Sequence, residues 1–197
     1  MSPLLGRAIG CLCFILALQA SADSIEPPER YTGCSPKRTY CFVTDPSSGT
    51  RVFHQKSRVK VDTTGSPDWA LPDFHRTLYV SDDGLTLGVG VPLLNLIDRY
   101  EPGLVLVTFV RKDHSPVEVR LSDIVPQSEA HLLKRTGGGR LHWGEYLGFD
   151  RSGMFVLQTV TGRVAILDPI KGRVVATSKA HPAWPPDRHK LLGVDEE

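Results

Sequence analysis

The feature that most constrains this chain is a rhythm of short β-prone runs, each cut off by a turn built from Asp, Gly, Ser or Pro. Tyr40-Cys41-Phe42-Val43 leads through Asp45-Pro46-Ser47-Ser48-Gly49 into Arg51-Val52-Phe53. Arg76 to Ser81 passes through Asp82-Asp83-Gly84 into Leu85 to Val91, and Leu104 to Arg111 passes through Lys112-Asp113-His114-Ser115 into Val117 to Leu121. Each pair reads as a β-hairpin, because aromatic and β-branched runs joined by a few turn residues pair antiparallel. From Tyr146 onward four runs follow one another: Tyr146 to Asp150, Met154 to Val160, Arg163 to Asp168 and Arg173 to Thr177. Such short connections predict a four-stranded meander over residues 146–177. The fold class expected is therefore all-β and mainly antiparallel, a sandwich or a curved meander sheet with one or two short helices.

Helix signals are sparse. Ser122-Asp123-Ile124-Val125 before Pro126 reads as one capped turn, and Ser128 to Arg135 as a second short helix with Ser128 as its N-cap. Leu93 to Tyr100 reads either as a helix begun by Pro92 or as a loop. Phe109, Phe149, Phe155, Leu157, Val164 and Ile166 sit on apolar strand runs and are the expected core.

The N-terminus speaks to location. Arg7 precedes the apolar run Ala8 to Leu18, which is too short for the ~20 residues of a membrane span. Ala20-Ser21-Ala22 then places small residues at the −3 and −1 positions before Asp23, completing the layout of a secretory signal peptide. The expected organisation is a signal peptide at 1–22, an extended lead-in at 23–38, a β domain at 39–178 and an irregular tail at 179–197, with Trp184 as a packing anchor. The expected location is periplasmic or extracellular. No later segment has the length and apolarity of a membrane span, so no integral membrane segment is expected after signal removal. Cys11 and Cys13 leave with the signal, and a lipoprotein would need a cysteine at the cleavage point. Cys34 and Cys41 remain as one C-x6-C pair, expected to be bridged in an oxidising compartment. Closing so short a loop stabilises by about 2.5 kcal/mol on the chain-entropy estimate.

The full sequence carries 23 Lys and Arg against 22 Asp and Glu. Loss of Arg7 makes the two counts equal, and no block of like charge stands out. That disfavours nucleic acid, whose binders carry a basic stripe, and a basic amphipathic membrane helix.

No G-x-S-x-G nucleophile elbow occurs. Thr136-Gly137-Gly138-Gly139-Arg140 is glycine-rich but lacks the Lys-Ser/Thr of a phosphate-binding loop, and it reads as a surface loop. Seven histidines form neither H-x-H nor H-E-x-x-H, and zinc needs three or four convergent ligands, so neither a metal nor another cofactor is expected. Asp82-Asp83 are sequence neighbours, which a strand would point to opposite faces.

The most suggestive patch is Arg140-Leu141-His142-Trp143-Gly144-Glu145-Tyr146. Read as a strand, it places Arg140, His142, Gly144 and Tyr146 on one face and Leu141, Trp143, Glu145 and Leu147 on the other. Either Leu141, Trp143 and Leu147 pack into the core, or Arg140, His142, Trp143, Glu145 and Tyr146 form a recognition surface for a glycan, peptide or protein.

The Asp/Gly turns at Asp82-Asp83-Gly84, Asp150 to Gly153 and Asp168 to Gly172 resemble, locally, the blade turns of secreted β-propeller repeats. Ser81-Asp82-Asp83-Gly84 and His142-Trp143-Gly144, with Gly148-Phe149-Asp150, look similar to an uncharacterised class of exported bacterial β proteins. That resemblance covers roughly residues 75–177 and implies no activity. The expected function is an exported, non-enzymatic β domain that binds a protein or envelope component. The alternative is a small hydrolase or metal-dependent enzyme with a site near His131, His142 and Glu145, joined by Asp82 or Asp83.

Overall fold

The computed structural model describes residues 27–91 and 95–179. The expected signal peptide, residues 92–94 at the start of the ambiguous stretch, and the tail from 180 with Trp184 lie outside the described residues. The described chain is mostly antiparallel β-structure with two short helices. A first four-stranded sheet holds β1 (Tyr31–Cys34), β2 (Tyr40–Asp45), β3 (Gly49–His54) and β4 (Trp69–Leu71) in chain order. The second holds β5 (Leu78–Val80), β6 (Thr86–Gly90), β8 (Val105–Arg111) and β9 (Val117–Arg120). The third holds β12 (Gly144–Phe149), β13 (Phe155–Thr159), β14 (Arg163–Asp168) and β15 (Arg173–Lys179). A small three-stranded sheet joins β10 (Lys134–Arg135), β11 (Leu141–His142) and β7 (Leu96–Ile97).

All three expected hairpins and the C-terminal meander are present. β1 falls within the stretch read as an extended lead-in and pairs with β2 from Tyr31↔Thr44 to Cys34↔Cys41. Cys34 and Cys41 are bridged. Ser35 N–H donates to Tyr40 O just beyond them, so the cysteines occupy a register position without direct hydrogen bonds, where cross-strand side chains come closest.

The Asp/Gly repetition is turn chemistry. The Asp45, Asp83, Asp150 and Asp168 carboxylates each accept the backbone N–H two residues on, from Ser47 (2.8 Å), Leu85 (2.9 Å), Ser152 (2.8 Å) and Ile170 (2.8 Å). Gly49 closes the first of these turns at φ +74°, and a Cβ there would stand 2.4 Å from the Leu71 and Pro72 carbonyl oxygens.

Each large sheet pairs its strands in chain order, the second passing over β7, which joins the small sheet. Their first strands gather together, β5 touching both β1 and β12. One face of the second sheet packs on the first through Phe42, Val52, Leu78, Val80 and Leu87. Its other face meets the third sheet through Phe109, Phe149, Phe155 and Leu157, whose rings pack edge-on. Five of the six expected core residues are buried. Ile166 is only half-buried, and Val164 is buried outside the main cluster, with Leu147 and Val156. Strand alternation explains both: Ala165 and Leu167 take the main-core face of β14, which leaves Val164 and Ile166 on the reverse.

α1 (Leu121–Ile124) forms where a capped turn was expected, with the Arg120 N–H bonded to the Asp123 carboxylate at 2.8 Å. The second helix differs from expectation. It is a 3-10 helix over Gln127–Leu132 with Pro126, not Ser128, at its N-cap, and Lys134–Arg135 pair as β10. Proline cannot continue a helix backwards, because its ring disfavours a helical residue before it, so the helix begins directly after Pro126.

Candidate functional site

The segment 140–146 does not continue as one strand. It closes the small sheet as β11 and then, across Trp143, starts the third sheet as β12. Trp143 N–H donates to Asn95 O (3.1 Å), and Val160 N–H donates to Trp143 O (3.1 Å), so this residue stitches the two sheets together. The break in alternation brings Trp143, 0% exposed, onto the same core as Tyr146, 3% exposed, with ring centroids 4.8 Å apart. Leu147 lies on the opposite face, with Val156 and Val164. The expectation that Trp143 and Leu147 share a face, apart from Tyr146, is thus corrected. Neither Trp143 nor Tyr146 offers an exposed aromatic surface; both lie beneath the surface and support it.

What they support is a groove of about 540 Å³ beside β7, lined by Val91, Leu96, Ile97 and Leu104, with Asp98, Arg99 and Glu101 at its rim. Four of the five patch residues converge on it or lie beneath it. Arg140 Nε stands 3.3 Å from the Asp98 carboxylate at the rim. His142 pairs across strands with Leu96. The buried Tyr146 hydroxyl accepts from Val91 N–H (3.1 Å) and donates to Leu106 O (2.5 Å), tying the groove wall to β8. Burial pushes the Tyr146 phenol well above its ordinary pKa, so the hydroxyl keeps its proton and its donor role. Burial also holds the His142 imidazole below its ordinary pKa, aided by Lys134 across the strand pair and opposed by a hydrogen bond with the Gly144 backbone. Trp143 Nε1–H is buried with no hydrogen-bond partner among the described residues.

Glu145 is turned away. It has the same strand parity as Leu147 and stands opposite Gln158 on the reverse face of the third sheet. His131 is exposed on the 3-10 helix, which is anchored through a Glu129–Arg163 ion pair. Among the described residues no three His, Cys, Asp or Glu side chains are grouped so as to hold a metal ion, and His131, His142 and Glu145 form no such set. Asp83 is committed to its turn, accepting from Ser81 Oγ (2.5 Å) and Leu85 N–H (2.9 Å). Asp82 accepts from Lys37 N–H (2.7 Å) on the first sheet.

β7 escaped the sequence reading because a two-residue strand has no periodicity to detect; Val91 and Leu104 fall at the ends of runs read as strands, where nothing local tells that they line a groove. The cross-strand partnership of Leu96 with His142 exists only once the small sheet forms.

No family model matches the chain, and neither does any curated protein. Among solved structures it is similar to the Cps50 (Swd1) β-propeller domain of Myceliophteria thermophila, at 12% identity and a TM-score of 0.36. That match covers 80% of this chain and 57% of the propeller chain.

Proposed function

We propose that this chain is an exported, non-enzymatic β domain that binds a protein or envelope component, and that the groove at Val91, Leu96, Ile97 and Leu104 receives the partner. The observation that carries this reading is the groove's make-up: an apolar floor within a rim of paired charges, with a buried Trp–Tyr pair behind it. That is the anatomy of a recognition site, apolar at the centre and polar at its edge. Of the residues expected to make a hydrolase site, Asp83 is engaged in its turn, Glu145 lies on another face and His131 is set apart on the surface, so His142 stands beside the groove without them. Export is supported by the three-part N-terminus and by the Cys34–Cys41 bridge, which suits an oxidising compartment.

The test is covalent cross-linking of the protein in its exported fraction, comparing the wild type with Leu96→Glu and with Arg140→Glu. The expected result is a defined cross-linked species on a chain beginning at Asp23, reduced at least about tenfold by Leu96→Glu, since one charge in an apolar contact costs more than 1.4 kcal/mol. Equal cross-linking in wild type and both variants overturns the groove as the binding surface. A chain that stays inside the cell with residues 1–22 attached overturns export.

A further inference from the structure

We propose that a second surface, the cationic loop after β3 together with the cleft it forms against β1, binds the headgroups of anionic lipids. The cleft, about 560 Å³, is lined by Thr32, Gly33, Cys34 and Arg38 on one side and by Val61 and Thr63 on the other. The loop above it runs Lys56-Ser57-Arg58-Val59-Lys60, and all five residues are exposed. It is a built structure. The buried Gln55 side chain clamps its base, donating to Asp62 O (2.9 Å) and accepting from Asp62 N–H (2.7 Å). Ser57 Oγ accepts from the Val59 and Lys60 N–H groups at 3.3 and 3.4 Å.

Three observations select the ligand. First, Arg38, Lys56, Arg58 and Lys60 make no ion pair among the described residues. The one carboxylate within the loop's base, Asp62, is held ionised by hydrogen bonds from Thr64 and counts as a single opposing charge. Second, Val59, between Arg58 and Lys60 in the loop, is 91% exposed. A soluble anion gives an apolar tip nothing to do, whereas a bilayer surface takes up the side chain while its headgroups meet the flanking Lys and Arg. Third, Arg38 sits at φ +55°, after a turn in which its N–H donates to Ser35 O (2.8 Å). Glycine or asparagine is the ordinary residue there. The chain instead holds a guanidinium at the cleft, and backbone strain of this kind gathers where function needs it. Guanidinium and threonine hydroxyls are the donors a phosphodiester needs.

This inference rests on export in the reading above, but it concerns a second ligand on a different surface from the groove, so either surface can fail alone. The test is co-sedimentation of the full chain with vesicles of phosphatidylglycerol and phosphatidylcholine, against phosphatidylcholine alone, at low and high salt. The N-terminal apolar run is common to all variants, so differences between them report the loop. The expected result is binding to the anionic vesicles only, lost at high salt, and weakened about fivefold by each of Arg38→Gly and Arg58→Gln. Val59→Asp weakens it further, and Leu96→Glu in the groove leaves it unchanged. Arg38→Gly suits a left-handed position, and Val59 and Arg58 are exposed, so folded variants are expected and are verified by circular dichroism. Wild type left in the supernatant with anionic vesicles overturns the proposal, and so do variants that bind like wild type. Binding of inorganic phosphate at millimolar concentration without vesicle binding overturns it too, by making the cleft a site for soluble anions.

Discussion

At the scale of single residues, Tyr146 does most to explain the candidate groove. Its hydroxyl bonds both the groove wall, at Val91, and the central strand β8, at Leu106. Its ring packs against Trp143, and its backbone carbonyl accepts from Tyr79 OH at 3.1 Å. Tyr146→Phe keeps the ring and deletes only the hydroxyl, leaving Val91 N–H and Leu106 O without this partner in a buried setting. The expected loss is about 1–3 kcal/mol of stability, the usual cost of stranding buried polar groups, measurable by urea denaturation. A loss well under that range means that other atoms or water take over both bonds. The importance of this patch was legible from its composition, but its geometry was not. Alternation assigns faces correctly only while one strand continues, and the chain changes sheets at Trp143.

At the scale of elements, the turns were legible because their chemistry is local. An Asp that bonds the backbone two residues on marks a chain reversal in sequence as clearly as in structure. The turns at Asp45, Asp83, Asp150 and Asp168 lie where expected, and among the described residues only Asp62, in the loop after β3, makes such a bond where no hairpin was expected. The small sheet was not legible, since β7, β10 and β11 are two residues long and β11, though it pairs locally with β10, meets β7 from more than forty residues away. That sheet also carries a pH dependence. His142 lies on β11 opposite Lys134, and burial disfavours its charged form, so its folded pKa lies below the ordinary 6.5. His75, half-buried in the connection from the first sheet to the second, is lowered for the same reason, against the pull of Asp73. For a lowered histidine the unfolded chain binds protons first as pH falls. Stability therefore rises with pH in this window; it begins to fall as pH drops through 6.5 and levels off below the folded pKa. Urea midpoints measured on either side of pH 6.5, above the carboxylate range, are expected to decrease with acidity. His142→Gln should flatten that slope in part, leaving the contribution of His75. An unchanged slope would place the dependence elsewhere.

At the scale of the whole molecule, the three large sheets are joined unequally. The second and third share a ring-rich interface in which Tyr79, Phe109, Phe149 and Phe155 meet edge-on. The first sheet meets the second through a smaller aliphatic cluster around Phe42 and through polar ties. The central tie is Asp82, whose carboxylate takes Lys37 N–H at 2.7 Å and stands 3.5 Å from Lys37 Nζ, while its carbonyl takes Thr39 Oγ1–H at 2.8 Å. The same Lys37 Nζ reaches Arg151 O of the third sheet at 3.5 Å. Sequence marked Asp82 and Asp83 as hairpin-turn residues and as candidates for an enzyme site, without telling them apart; the fold splits their work, Asp83 closing its own turn and Asp82 holding a neighbouring sheet. Asp82→Ala therefore removes a bond between sheets and leaves each sheet's own ladder intact. Its expected cost is about 1–2 kcal/mol, falling on the first sheet. Native-state hydrogen exchange separates the cases. Amides of β2 and β3 should exchange roughly tenfold faster in Asp82→Ala, while those of β13 and β14 keep their protection, because a free-energy loss confined to one unit appears only in that unit's openings. Equal acceleration in all three sheets would instead mean that the first sheet opens only with the rest, and that the aliphatic cluster around Phe42, rather than the Asp82 tie, couples it to the molecule.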